Sequence, residues 1–276
     1  MDQKRRAQAF RKLHDRTRLL VLPNAWDAAS ARVFEEAGFP ALATTSAGIA
    51  ASLGYPDGER ISRGEMAKAV ARIVRAVRVP VSADMERGYG PIPKAVRQTV
   101  EAAIEAGAVG VNLEDASGDR VRPLRDPEDM AERLRAAREA ARRSGVDFFI
   151  NARTDVFLLE VGAERARFDR TVARARAYLE AGADGVFVPG VADGELIGRL
   201  ARAIEAPLNV LAAAGAPPVA ELERLGVARL SVGSGAMRSA LGHARRIARE
   251  LRESGTYGSL TEGAVPYREL NQLLDR

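Results

Sequence analysis

A helix-stopping glycine that returns at intervals is the feature that most constrains this chain. Glu36-Ala37-Gly38-Phe39, Glu105-Ala106-Gly107-Ala108, Glu180-Ala181-Gly182-Ala183 and Arg224-Leu225-Gly226-Val227 each set glycine where a left-handed residue closes a helix. A short apolar run opens two to four residues later each time. Such runs are expected as strands over 19–22, 41–45, 79–83, 110–113, 148–152, 185–188, 208–211 and 229–232. All are too short for buried helices. Helical patterns fill the intervals, among them 63–77, 92–106, 127–144, 163–181 and 194–204. Strand and helix in strict alternation, with short returns, require parallel strands. Eight such units close into a (β/α)8 barrel, an α/β fold of this size.

The chain has 276 residues, enough for one barrel and a short tail. A single domain is expected over 1–255, including an N-terminal helix, with an extension over 256–276 that carries a short helix at 265–274. Apolar residues make up 46% and aromatic residues only 5%, a core of Ala, Val and Leu that suits helices packed on parallel strands. The net charge is +5, but basic residues alternate with acidic ones, as in Glu132-Arg133-Leu134-Arg135. No basic stripe interleaved with stacking aromatics exists, so nucleic acid is not an expected partner. There is no cysteine, which removes disulfides, thiolate nucleophiles and cysteine-ligated zinc. No apolar run has membrane-span length and residues 1–18 lack a signal-peptide core, so a soluble cytoplasmic protein is expected.

A barrel carries its chemistry at the C-terminal ends of its strands. Four acids fall there or in the adjoining loops: Asp57, Asp84, Glu86 and Glu114. Together they would repel one another unless a cation sits between them. Hard oxygen donors without His or Cys select Mg2+, with Mn2+ as the variant. Arg153 stands alone among these acids and could clamp a substrate carboxylate bidentately. A salt bridge to Asp155 or Glu114 would equally explain it. Backbone N–H groups of Ser46, Ala47 and Gly48 could serve the same anion, or could belong to an ordinary turn. Asn209 is a further candidate for substrate contact, and Gly233-Ser234-Gly235 is a possible phosphate seat. His14 and His243 lie in helical segments away from strand ends and are expected to be structural or exposed.

These residues sit in stretches that resemble the isocitrate lyase/phosphoenolpyruvate mutase superfamily: Leu22-Pro23-Asn24-Ala25-Trp26-Asp27, Thr45-Ser46-Ala47-Gly48, Gly54-Tyr55-Pro56-Asp57, Ala83-Asp84-Met85-Glu86-Arg87-Gly88-Tyr89-Gly90, Asn112-Leu113-Glu114-Asp115 and Ala152-Arg153-Thr154-Asp155. The resemblance implies a barrel whose last helix, here about 235–254, is exchanged between subunits, usually of a tetramer. That segment has an apolar stripe of Ala236, Ala240, Ala244, Ile247 and Leu251. It implies Asp84 as direct Mg2+ ligand, with Asp57, Glu86 and Glu114 holding metal-bound waters. Arg153 and the 46–48 amides would take the carboxylate of an oxo acid such as pyruvate, oxaloacetate or 2-oxoglutarate. Arg153 and Glu114 are the expected catalytic groups. The implied activity is that of a Mg2+-dependent lyase cleaving a C–C bond in a small 2-oxo or 2-hydroxy acid, decarboxylation included, through an enolate. A phosphonopyruvate-type P–C mutase or hydrolase and a non-catalytic oxo-acid binder are the alternatives. One departure stands out. Lyases of the family carry a Lys-Lys-Cys-Gly-His-type loop, with Cys as acid/base, where this chain reads Asp115-Ala116-Ser117-Gly118-Asp119-Arg120-Val121-Arg122-Pro123.

Overall fold

A computed structural model describes residues 2–275. In chain order its elements are α1 (Gln3–Lys12), β1 (Leu20–Leu22), β2 (Asn24–Ala25), α2 (Ala28–Glu36), β3 (Leu42–Thr44), α3 (Ser46–Ser52), α4 (Arg63–Ala76), β4 (Val81–Asp84), α5 (Pro93–Glu105), β5 (Gly110–Glu114), α6 (Pro127–Ser144), β6 (Phe149–Arg153), α7 (Glu164–Glu180), β7 (Gly185–Val188), α8 (Gly194–Ala203), β8 (Leu208–Leu211), α9 (Val219–Arg224), β9 (Arg229–Ser231), α10 (Gly235–Glu253), α11 (Gly258–Thr261) and α12 (Tyr267–Leu274). All strands are parallel, in the order β1-β9-β8-β7-β6-β5-β4-β3-β2. The two ends of that order are halves of one strand. β1 pairs with β9 and β2 with β3, and the break falls at Pro23. Proline has no N–H to give a ladder. Its carbonyl still accepts from the Ala43 N–H at 2.8 Å, which carries the sheet across the gap. The fold is therefore the expected (β/α)8 barrel, with nine strand elements where eight runs were expected.

Three strands run further than their apolar runs suggest. β4, β5 and β6 end on Asp84, Glu114 and Arg153, each one residue beyond the predicted limit. Backbone pairing continues regardless of side-chain polarity: Glu114 lies in register with Arg153, and its N–H donates to the Glu86 carbonyl at 2.9 Å. The three groups are thus mounted on the sheet and not on loops, which fixes their directions.

Two helices outside the expected helical patterns are fixed by their caps. Asp27 accepts from the Ser30 N–H at 2.7 Å and Ser30 returns a bond, a capping box that starts α2. The Thr45 hydroxyl accepts from the Gly48 N–H at 3.3 Å and starts α3. Below the barrel, α1 closes the floor. Phe10 is fully buried edge-on to Phe149, and His14 stacks on Phe149 with ring centroids 4.1 Å apart. Burial and the nearby Arg229 hold the His14 imidazole down at about 3, so it is neutral and structural.

The apolar core lies between barrel and helices, as two clusters that divide near β7. Inside the barrel the filling is polar for a fold whose interior is usually Val, Ile and Leu. Ser82, Asn112, Asn151, Asn209, Arg229 and Ser231 are all buried there. α10 is different from every other long helix. Only Met237 of its residues is buried, while Leu241 is 56% and Leu251 49% exposed. α12 returns to the body, where Leu273 accepts from Arg32 Nε at 2.8 Å. No helix among the described residues is long and apolar enough to cross a membrane.

Candidate active site

The C-terminal mouth of the barrel holds a cavity of about 160 Å3. Five of the predicted residues meet on it: Ser46, Ala47, Asp57, Asp84 and Arg153. Gly233 and Ser234 of the possible phosphate seat line it too, and Asn24, Thr45, Asn112, Phe187 and Ser231, none of them predicted as a contact, complete most of the wall. Each is small, neutral or apolar, so nothing in its chemistry separates it from an ordinary strand-end residue.

Asp84 is gripped from one side. Its Oδ2 accepts from the Ser46 N–H at 3.0 Å and the Ser46 hydroxyl at 2.9 Å, and its own N–H donates to the Thr44 hydroxyl at 2.9 Å. The Ser46 hydroxyl also lies 3.3 Å from Asp57 Oδ1, so the two acids share one serine. Burial raises the Asp84 pKa, against the pull of Arg153 and the Ser46 bonds.

Glu86 does not line the cavity but ties its rim. Its carboxylate accepts from the Tyr89 hydroxyl at 2.9 Å and from the Glu59 N–H, and Tyr89 N–H donates to Glu59 Oε1 at 2.6 Å. Glu86 and Tyr89 both have left-handed backbone, with φ of 50° and 54°. Such residues cost on the order of 1 kcal/mol each and persist only when neighbours hold them. Here the bonds to Glu59 and to one another do so, and they anchor the 57–59 loop that carries Asp57. Burial, then the charges of Asp84 and Asp57 against the Tyr89 bond, push Glu86 up to about 7.

Arg153 makes both ion pairs that were the alternative explanation of its presence. Nε and Nη2 hold Asp155 at 2.6 and 3.0 Å, and Nη1 holds Glu114 at 2.8 Å. A guanidinium has five N–H donors. Three serve these acids, which leaves two for a ligand in the cavity that Arg153 also lines. The pairs therefore orient the fork without exhausting it. Burial pushes Glu114 up to about 8 even against the pull of Arg153, with Asp155 and Asp84 adding to the rise.

Below Arg153 lies a hub that sequence reading passed over. Asp115 is fully buried and accepts from the Thr154 hydroxyl at 2.8 Å, the Asp155 N–H at 2.9 Å, the Tyr178 hydroxyl at 2.7 Å and Arg174 at 3.0 Å. It fixes the backbone of Asp155, and through Asp155 the plane of Arg153. The loop after β5 is pinned at its base: Arg125 N–H donates to the Asp115 carbonyl at 2.8 Å and Ser117 N–H to the Pro123 carbonyl at 2.8 Å. Residues 118–122 at its tip are exposed.

Two predicted contacts fall elsewhere, and a third offers fewer free amides than expected. Gly48 is absent from the wall. Its N–H is spent on Thr45, and a Cβ there would come within 2.8 Å of Trp26 Cβ, so glycine is required by close packing. Asn209 lies in the barrel interior, bonded to Asn151 at 3.0 Å and Ser231 at 3.1 Å, and is not among the lining residues. In the 233–235 stretch Gly233 and Ser234 line the cavity, but the Val232 and Gly233 N–H groups both donate to Asn24 Oδ1 at 2.9 Å, and Gly235 N–H to the Val232 carbonyl. His243 pairs with Arg246 on α10, away from the mouth.

Among the described residues no three His, Cys, Asp or Glu side chains stand together as a preformed metal cage. Mg2+ asks for less. It keeps several waters and uses one or two carboxylates. Asp84 at the cavity wall, Asp57 beside it and two further acids with raised pKa values fit that donor set.

A family model described as phosphoenolpyruvate phosphomutase matches residues 10–252. A protein of Mycobacterium tuberculosis with no assigned function is 36% identical over 266 residues, 96% of each chain. The 2,3-dimethylmalate lyase of Eubacterium barkeri is 34% identical over 231 residues, 80% of this chain and 77% of its own. Among solved structures, a putative lyase/mutase from Burkholderia cenocepacia J2315 superposes with a TM-score of 0.93 at 43% identity, over 99% of this chain and 97% of that one. Oxaloacetate acetylhydrolase in complex with the product oxalate gives a TM-score of 0.86 at 30% identity, over 98% and 93%. Phosphonopyruvate hydrolase in complex with oxalate and Mg2+ gives 0.85 at 25%, over 99% and 95%.

Proposed function

This chain belongs to the isocitrate lyase/phosphoenolpyruvate mutase superfamily, and we propose that it is a Mg2+-dependent lyase-like enzyme that acts on a small 2-oxo or 2-hydroxy acid, by C–C cleavage or decarboxylation. The observation that carries this reading is the pairing, in one small cavity, of a one-sided acid set with an arginine that keeps two donors free. Ligand pockets for larger molecules run to about 300–1,000 Å3. At about 160 Å3 this cavity admits only a compact acid.

Each residue has a distinct part in the proposal. Asp84 is the direct ligand of the cation, with Asp57, Glu86 and Glu114 set to hold its waters. When bound, the cation supplies positive charge for the oxyanion that bond cleavage leaves on the acid. Arg153 takes the substrate carboxylate with its free donors, and its plane is set by Asp155 and Asp115. Ser46 holds Asp84 in position. Glu114, pushed up by burial and paired with Arg153, is the group of this chain best suited to proton transfer in place of a loop cysteine.

Two readings compete. A P–C enzyme needs a seat for a phosphoryl group, and the amides at 232, 233 and 235 are already engaged. A non-catalytic binder is favoured by the bare 118–122 loop tip, which offers no cysteine, lysine or histidine. A panel of oxo acids with Mg2+, followed for pyruvate, CO2 and phosphate release, separates all three. Phosphate release would support the P–C reading, and binding without any release would support the binder.

We also propose that the chain works as a homo-oligomer in which α10 docks on a neighbour. Among the described residues α10 buries only Met237 of its amphipathic length, and its contacts within the chain are chiefly with the short α11. Sedimentation at micromolar concentration is expected to give a species heavier than one chain. A single species of monomer mass would contradict the exchange.

A further inference from the structure

A side-chain amide offers a donor on one side and an acceptor on the other, and only its partners decide which side faces a ligand. Asn112 poses that question. It points into the barrel in register with Asp84 on one side and Asn151 on the other, is 4% exposed, and lines the cavity.

The answer is fixed from two directions. Asn209 Nδ2 donates to the backbone carbonyls of Val210 at 2.8 Å and Arg229 at 3.2 Å. Carbonyls only accept, so Asn209 must turn its Oδ1 toward Asn151. Asn151 can serve that oxygen only with Nδ2, at 3.0 Å, and the same nitrogen reaches Asn112 Oδ1 at 2.9 Å. From the other side Arg229 Nη2 approaches Asn112 Oδ1 at 3.4 Å. A guanidinium has no acceptor. Both chains of reasoning put the oxygen of Asn112 inward and its Nδ2 on the cavity side. Among the described residues no hydrogen bond uses that nitrogen.

We infer that Asn112 is a specificity-determining donor, which presents Nδ2 to an acceptor-only oxygen of the bound acid, and that Arg229 is the positioning residue that keeps the amide from turning over. The inference rests on the reading of the cavity as a small-acid site and narrows it from 2-oxo or 2-hydroxy acids to 2-oxo acids. A carbonyl or enolate oxygen matches a fixed donor fully. A hydroxyl in the same place also accepts from it, but its own hydrogen then needs a separate acceptor, which neither this amide nor the Arg153 guanidinium can be. Arg229 is fully buried with Nη1 unpartnered among the described residues, a costly arrangement for a side chain that did nothing but fill space.

The test compares pyruvate with lactate, which carry equal charge and nearly equal size. Dissociation constants are measured calorimetrically with Mg2+ for the wild type, Asn112→Asp, Asn112→Ala and Arg229→Gln, with thermal unfolding as the check on folding. The wild type is expected to prefer pyruvate. Asn112→Asp keeps an oxygen for Arg229 and Asn151 but turns the cavity side into an acceptor. It is expected to weaken pyruvate by roughly tenfold or more and to reverse the preference. Asn112→Ala removes the donor without adding charge and should bring the two ligands close to parity. Arg229→Gln, whose amide can accept as well as donate, lets Asn112 turn and should move the ratio the same way by less. An unchanged ratio in a folded Asn112→Asp or Asn112→Ala protein overturns the inference alone. A wild type that binds neither acid overturns it together with the functional reading.

Discussion

The mouth of this barrel has two unlike halves. From β4 to β6 the strands end on Asp84, Glu114 and Arg153, with Glu86 and Asp155 two residues beyond. From β7 to β9 they end on Val188, Leu211 and Ser231, followed by proline, alanine, glycine and serine. Both halves have the same parallel ladder and comparable lengths, so the backbone does not distinguish them. The difference is what the strand ends do with charge. On the acidic half every charged group is held by a second one or by a backbone amide, and the acids are driven toward their protonated forms by burial. On the neutral half the Val232 and Gly233 N–H groups both donate to the Asn24 side-chain oxygen, and the wall is left small and uncharged. A ligand in the cavity would be gripped on one side and merely enclosed on the other.

The largest expected effect comes from removing the centre of the acidic half. Asp84→Ala should abolish Mg2+-dependent ligand binding, a loss on the order of 100-fold or more, while the fold survives. Calorimetric binding that stays unchanged would place the metal elsewhere. Next is Arg153. Arg153→Lys should weaken a 2-oxo acid by about two orders of magnitude, nearly as much as Arg153→Ala, because a single ammonium cannot hold Asp155, Glu114 and a carboxylate in one plane. Arg153→Ala should also lower stability by about 3–5 kcal/mol, since Glu114 and Asp155 would be left as buried unpaired acids. Denaturant unfolding that shows no loss would mean that the acids are already neutral.

The pH dependence is smaller and has a definite sign. Glu86 and Glu114 lie at about 7 and about 8 in the folded protein, against 4.5 for the free side chain. Over that interval the folded state binds more protons than the unfolded, so stability falls as pH rises. In EDTA the unfolding temperature should drop by several degrees, roughly, between pH 6.5 and 8.5, a window above the range where His14 acts in the opposite sense. Mg2+ should shrink that drop, because the cation takes the place of the protons. A rise over the same window would contradict the assignment. The smallest effect belongs to the neutral half. Ser234→Ala should change ligand affinity by no more than about threefold, the worth of one weak hydrogen bond. A tenfold loss there would end the contrast between the halves.

The contrast itself was only half visible in the sequence. Charged residues at strand ends announce themselves, because a barrel has few reasons to put Asp84, Glu114 and Arg153 there, and the cavity gathers Asp57, Asp84 and Arg153 as their spacing suggests. The neutral wall carries no such signal. Asn112 and Asn24 differ in nothing legible from Asn209, yet the first two line the cavity and the third is buried beneath it. Strand register, set by the hydrogen bonds that run from β5 through β8, decides which Asn reaches the mouth. Pro23 was legible as a residue but not as a break, since its consequence depends on which neighbour needs its missing N–H. Gly48 shows the reverse error. Its place beside Ser46 suggested an anion contact, whereas the reason for glycine is the Cβ of Trp26 against it. Asp115 was read as part of a loop because its four donors come from segments up to 63 residues away.

The central claim is that the acidic half binds a 2-oxo acid only in company with a divalent cation. Calorimetric titration of the wild-type protein with oxalate, the planar acid held by two of its structural relatives, tests it directly when run once with millimolar Mg2+ and once with EDTA. Saturable binding with Mg2+ that disappears in EDTA is the predicted result. Equal binding in both, or none in either at millimolar oxalate, would contradict the account.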